Sequence, residues 1–182
     1  NELNMEDVFL GGHPMTGSEK TGYKNSYALL LENAFYILTP TGKTPKDKLD
    51  ILIRLVEDMG SIPIILDPKE HDEITAAISH LPHIIAATLV NLIRESDDKS
   101  EKMKQLAAGG FKDLTRTASS NPALWGKITL SNKKHISDML NLYIHEIRKF
   151  QQMLDSGSAD EIHSFFESAK VFRDSILSGL KG

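Results

Sequence analysis

The hydrophobic pattern of this chain changes period at Asp67-Pro68, and that change constrains the fold more than any other feature. Before it, short runs of strand formers alternate with loops: Val8-Phe9-Leu10, Ala34-Phe35-Tyr36-Ile37-Leu38, and Ile62 to Leu66. Between the last two the spacing predicts a helix. Thr44 is placed to cap it, Pro45 suits its first position, and Asp47 follows three residues after the cap. Leu49, Leu52, Ile53, Val56 and Met59 then recur at helical intervals, and Gly60 can close the element. Strand, helix, strand is the alternation of an α/β domain, here only a piece of one.

After Asp67 every signal is helical. Asp67-Pro68-Lys69-Glu70 supplies a cap, a proline and an N3 carboxylate, and Ile74, Ala77, Ile78, Leu81, Ile85, Thr88, Leu89 and Leu92 carry an apolar stripe to about Arg94. Such a helix is roughly 40 Å long, and Pro82 inside it predicts a kink because proline lacks the N–H and crowds the preceding turn. Asn121-Pro122 open a short helix containing Trp125. A long helix follows, with Ile136, Met139, Leu140, Tyr143, Ile147, Phe150 and Leu154 on one stripe. Ser158 and Glu161 form a capping box for the last helix, which carries Ile162, Phe165, Phe166, Ala169, Phe172 and Ile176. Stripes this broad leave apolar surface that a second copy of the chain can cover. The expected architecture is mostly α, with an α/β remnant over residues 1–67 and an all-helical domain over 68–182.

Composition narrows the function classes. The formal net charge of −4 argues against a nucleic-acid partner, for which a basic face is expected. With no cysteine there is neither a disulfide framework nor thiolate chemistry, which is compatible with a reducing cytoplasm. The longest uninterrupted apolar stretch, Ile84 to Val90, is too short to span a bilayer, so no membrane partner is expected.

Three segments carry chemistry. Gly11-Gly12-His13-Pro14-Met15-Thr16-Gly17-Ser18-Glu19-Lys20-Thr21-Gly22 gathers an imidazole, hydroxyls, a carboxylate and an ammonium on a stretch whose four glycines and proline imply an irregular backbone. His13 precedes a proline and is therefore extended or turned; an imidazole near its reference pKa suits a general base, and equally a hydrogen bond to its own loop. Ser79-His80-Leu81-Pro82-His83 places Ser79 and His83 four apart on one helix face. Two histidines at that spacing could begin a metal site, but no third or fourth ligand follows, so no metal is expected. Gly109 to Trp125 contains Arg116, whose planar fork matches the two oxygens of a carboxylate. Trp125, nine residues on, could wall an aromatic pocket or pack in the core. Together these residues suit a small anionic substrate that gives up a hydroxyl proton.

The same three segments resemble the motifs of the prephenate dehydrogenase family, which includes the arogenate dehydrogenases. Gly12 to Gly22 resembles its G-H-P-(M/I)-A-G-x-E-x-S-G loop, with Thr16 in place of the usual alanine and Thr21 in place of the usual serine. Asp67-Pro68, His71-Asp72 and Ser79 to His83 resemble the entry to its helical domain, and Gly109-Gly110-Phe111 through Arg116, Ser119 and Pro122 to Trp125 resemble the third motif. The resemblance implies NAD-linked (or NADP-linked) oxidative decarboxylation of prephenate to 4-hydroxyphenylpyruvate, in the cytoplasm, by a homodimer joined through the helical domain. It implies that His13 accepts the proton of the C4 hydroxyl and that Arg116 pairs with a substrate carboxylate. Ser79 and His83 line the substrate pocket, Trp125 lies beside it, Ser18 belongs to the binding loop, and Glu19 helps order the arginine across the dimer contact. Residues 1–67 then correspond to the C-terminal piece of a Rossmann-type nucleotide-binding domain. The G-x-G-x-x-G turn and the ribose-binding acid of such a domain are absent from the sequence, so this chain alone is expected to be inactive. The reading from another class is a helical dimerisation or ligand-binding module without redox chemistry. The His13 segment separates the two, since dimerisation needs no base beside an anion clamp.

Overall fold

The computed structural model describes residues 5, 7–17 and 22–179. Among them the chain is mostly helical, with a three-stranded sheet in the order β1-β2-β3. Strand β1 (Gly11–Pro14) pairs antiparallel with β2 (Phe35–Thr39), and β2 pairs parallel with β3 (Ile62–Ile65). Helix α1 (Lys46–Asp58) makes the crossover between the parallel strands. Ile37, Leu38 and Val56 are its buried core, the last two completely so. Gly60, at φ 76°, turns the chain out of α1 in a conformation that a side chain would strain.

Three local expectations shift. Val8-Phe9-Leu10 is not a strand: the backbone N–H groups of Val8 and Phe9 both bond back to the Met5 carbonyl, and strand pairing begins at Gly11. His13 consequently stands on an ordered strand opposite Ile37, with irregular backbone only beyond Pro14. Pro45, not Thr44, occupies the cap of α1, because the Thr44 hydroxyl is taken up by the N–H of Thr41 at 2.8 Å.

Beyond Asp67 the expected helix appears in full. Asp67 accepts a hydrogen bond from the Lys69 N–H at 2.9 Å and caps α2 (Pro68–Thr75). A π turn over Ala76–His80 follows, and α3 (Leu81–Ser96) continues the rod. The Leu81 N–H reaches back five residues to the Ala76 carbonyl, so the disturbance expected at Pro82 is taken up one turn earlier, as a widened helix. As one 29-residue element, Pro68–Ser96 is long and apolar enough to cross a membrane by length and composition, which the seven-residue apolar run did not suggest. Within its own unit Thr75, Ala76, Leu81 and Ala86 of this element are buried, as is 17% of its apolar window. Short helices α4 (Lys102–Leu106) and α5 (Gly109–Thr115) lead to a 3₁₀ turn over Arg116–Ser119. Asn121 then caps α6 (Pro122–Ser131), accepting from the N–H groups of Ala123 and Leu124.

Helix α7 (Lys133–Ser156) contains the boundary between two compact units, which falls after Ile136. The first unit holds the sheet together with α1 to α6. The second holds the rest of α7 and helix α8 (Ala159–Gly179), whose start Ser158 caps by accepting from the Glu161 N–H. In that unit Phe150, Phe165 and Phe166 form a ring cluster with centroids 5.0–5.7 Å apart.

Candidate active site

Within the first unit, the end of β1, the rod α2–α3, the Arg116 turn and α6 surround a cleft of about 710 Å³. Five of the residues expected in a site line it: His13, Ser79, His83, Arg116 and Trp125. Ser18 and Glu19 lie outside the described residues.

Each side chain has an identifiable support. The antiparallel pairing of β1 fixes the His13 backbone against Ile37, and its Nδ1 lies 2.8 Å from His71 Nε2 on α2. His71 Nδ1 in turn lies 2.9 Å from a carboxylate oxygen of Asp72. The Thr75 hydroxyl, buried, donates to the His71 carbonyl at 2.8 Å. Asn132, also buried, donates from Nδ2 to the Asp72 carbonyl at 2.7 Å, leaving its Oδ1 as a buried acceptor with no hydrogen-bond partner in the cleft lining. His83 donates from Nδ1 to the Ser79 carbonyl at 3.0 Å, one helical turn back, and stacks on Trp125. His80 meets the edge of the same indole at a centroid distance of 6.0 Å.

The electrostatics favour neutral imidazoles. Burial, and then His71 beside it, hold His13 below the usual histidine range. Burial followed by His13 and His71 does the same for His80, against an opposing pull from Asp72. His83 is lowered by burial and by the Arg116 guanidinium, against its hydrogen bond to Ser79. At neutral pH the cleft therefore offers imidazoles able to accept a proton beside an arginine able to hold an anion.

Thr75 and Asn132 were not among the expected site residues, His71 and Asp72 figured only as part of the family segment, and His80 only as one of two helix histidines without a role of its own. A signal for part of this set exists in the chain: His71, Thr75, Ser79 and His83 recur at every fourth position, the spacing of one helix face. Among the described residues no group of three or more ligating side chains is arranged to hold a metal ion.

The phosphates of a dinucleotide need free backbone N–H groups at a strand-to-helix turn. The two such turns described here do not fit them. Ahead of α1 the Thr41 N–H is bonded to Thr44 and the Lys43 N–H to Thr41. Ahead of α2 the helix start is already occupied by the Asp67 carboxylate, which would repel a phosphate.

Comparison with known proteins identifies the family. Residues 1–65 match the family described as prephenate dehydrogenase, nucleotide-binding domain, and residues 67–168 match prephenate dehydrogenase, dimerization domain. The prephenate dehydrogenase of Bacillus subtilis is 42% identical over 96% of this chain and 47% of its own length. The chain thus spans about half the length of that curated relative. A crystal structure of prephenate dehydrogenase from Aquifex aeolicus, in complex with hydroxyphenyl propionate and NAD⁺, superposes with a TM-score of 0.89 at 32% identity, covering 93% of this chain and 59% of that one. The crystal structure of Synechocystis arogenate dehydrogenase superposes with a TM-score of 0.82 at 28% identity, covering 92% and 61%.

Proposed function

The chain belongs to the prephenate dehydrogenase family, and on that premise we propose that it carries the substrate side of an oxidoreductase of tyrosine biosynthesis. The whole protein, a cytoplasmic homodimer, oxidatively decarboxylates prephenate to 4-hydroxyphenylpyruvate. Residues 1–67 belong to its nucleotide-binding domain and 68–182 to its helical dimerisation and substrate domain. The observation that carries this reading is the cleft in which a half-buried, neutral His13 and the Arg116 guanidinium line one cavity of substrate size.

A bound NAD (or NADP) would supply the hydride acceptor. His13 accepts the proton of the C4 hydroxyl as the C4 hydride departs. The ring carboxylate leaves as carbon dioxide, its bonding electrons completing the aromatic ring, and the proton returns to the product oxygen. Arg116 pairs with a substrate carboxylate, as its fork geometry suits. Ser79, His83 and Trp125 wall the cavity, with Ser18 and Glu19 assigned to binding by the family motif alone.

The test is turnover of the full-length protein with prephenate and NAD, read by the absorbance of the reduced nicotinamide, beside the same assay with arogenate. Prephenate is expected to be the better substrate, in line with the 42% identical relative; a reversed preference assigns the arogenate reaction instead. His13→Asn should lower kcat by roughly 10²–10⁴-fold, the usual worth of a general base. Unchanged kcat, with chemistry rate-limiting, would remove the base. The 182-residue chain alone should show no turnover, and robust reduction of NAD by it would overturn that expectation.

A further inference from the structure

We propose that His71 and Asp72 are positioning residues that hold His13 in the tautomer whose Nε2 carries no proton and faces the substrate. The inference rests on the base assigned to His13 above and extends it to the residues behind.

The argument follows from which atoms can donate. An ionised carboxylate only accepts hydrogen bonds, so at the 2.9 Å contact with Asp72 the proton must sit on His71 Nδ1. A neutral imidazole carries one N–H, so His71 Nε2 is then a bare lone pair. At 2.8 Å from that lone pair, His13 Nδ1 must be the donor. Neutral His13 is left with an unprotonated Nε2, the form a base needs. When it accepts a proton there, the Nδ1–H bond to His71 becomes charge-assisted and steadies the imidazolium. The accepted proton stays on His13 Nε2, and no proton passes to Asp72.

The support is rigid as well as oriented. Thr75 is 1% exposed and ties the His71 carbonyl. Asn132, 7% exposed, ties the Asp72 carbonyl from the start of α7. The rings of His13 and His71 meet nearly edge to face, with planes 67° apart, which aims the Nδ1–Nε2 contact and leaves the far edge of His13 clear of it. The arrangement also predicts how it fails. A second proton on His71 would turn its Nε2 into a donor, reverse the His13 tautomer and block the base. Among the described residues, the titratable and charged groups that line the cleft with His13 and His71 are Asp72 on α2, His80 on the π turn, and His83 and Arg116.

The test uses full-length enzyme with His71→Leu, His71→Gln, Asp72→Ala and His13→Asn assayed in parallel. His71→Leu should lower kcat at least about tenfold with KM little moved. His71→Gln, whose carbonyl can still accept from His13 Nδ1, should recover most of that loss, and Asp72→Ala should fall between. Unchanged kcat in His71→Leu alongside an inactive His13→Asn overturns the positioning role and leaves the base standing. An active His13→Asn overturns the base itself. Equal losses in the leucine and glutamine variants, with KM rising in step, would show a merely structural role. Nitrogen-15 spectra of the unmutated enzyme give a reading independent of any variant's folding. Protonated Nδ1 and bare Nε2 on His13 at neutral pH are expected; the opposite tautomer overturns the proposal.

Discussion

The His83 imidazole lies against the Trp125 indole with ring centroids 3.6 Å apart and planes 21° from parallel. The contact joins α3 to α6 across the wall of the cleft, so a ring from each helix is held by the other. The hydrogen bond from His83 Nδ1 to the Ser79 carbonyl leaves Nε2 as the edge that is not tied down. Stacked aromatic pairs contribute about 0.5–1.5 kcal/mol beyond the area they bury. A double-mutant cycle of His83→Ala and Trp125→Ala on unfolding of the full-length protein should return a coupling of that size. Strict additivity would show that the rings do not support one another and that Trp125 serves the cleft only as a wall.

The neutral imidazoles make the fold sensitive to acid. His13, His80 and His83 are each held below the usual histidine value, burial being the largest cause in every case. Above about pH 6.5, the reference value, folded and unfolded chains are both neutral at these sites and the three contribute nothing to pH dependence. As pH falls through that value the unfolded chain binds protons first, so stability drops until the folded-state pKa values are passed. Melting temperature should therefore decline between pH 7 and pH 5, and His80→Asn should flatten the decline. A profile unaltered by that substitution would mean that His80 titrates normally in the folded protein.

How much of this was legible beforehand differs from residue to residue. The capping residues Asp67, Asn121 and Ser158 were readable because a cap is a local device, complete within four residues. Ala34 to Leu38 and Ile62 to Leu66 were readable as strands because their apolar runs are bounded by turns. Thr44 was misplaced by one position because a competing local bond, from the Thr41 N–H, uses its hydroxyl. His13, Ser79, His83, Arg116 and Trp125 were found by their unusual settings and by the family motifs, and the fold brings them to one cleft. His71 and Asp72 stood out only as part of a family segment and Asn132 not at all, because the contacts that give them a role run across 58 and 60 residues of chain. The π turn escaped for a related reason: proline announces a disturbed helix but not which turn absorbs it.

In the second unit, Leu154, Phe166, Val171, Phe172 and Ile176 are exposed, far more apolar surface than a solitary helix pair normally leaves in water. The match of residues 67–168 to a dimerization domain points to a second copy as the cover. Sedimentation of the full-length protein at tens of micromolar, roughly the range of moderate affinity, should show a dimer. Phe172→Asp should shift the equilibrium toward monomer. A sedimentation coefficient indifferent to that charge would remove Phe172 from the interface.

Arg116 can be tested on two axes at once. It lies on an exposed 3₁₀ turn at the cleft, so its bond to a substrate carboxylate should have the worth of an ordinary charge-assisted hydrogen bond and not that of a fully desolvated pair. At about 1.5–3 kcal/mol, Arg116→Ala should raise KM by roughly 10- to 100-fold while kcat changes much less. Arg116→Lys should recover little of the loss, because an ammonium cannot reproduce the two parallel bonds of the guanidinium fork. The same arginine lowers the pKa of His83 through like charge. Removing it should therefore move the His83 titration, followed by its ring proton resonances, upward even without substrate. A normal KM in Arg116→Ala would remove the clamp. A raised KM with an unmoved His83 titration would instead place the guanidinium on the substrate but away from the imidazole.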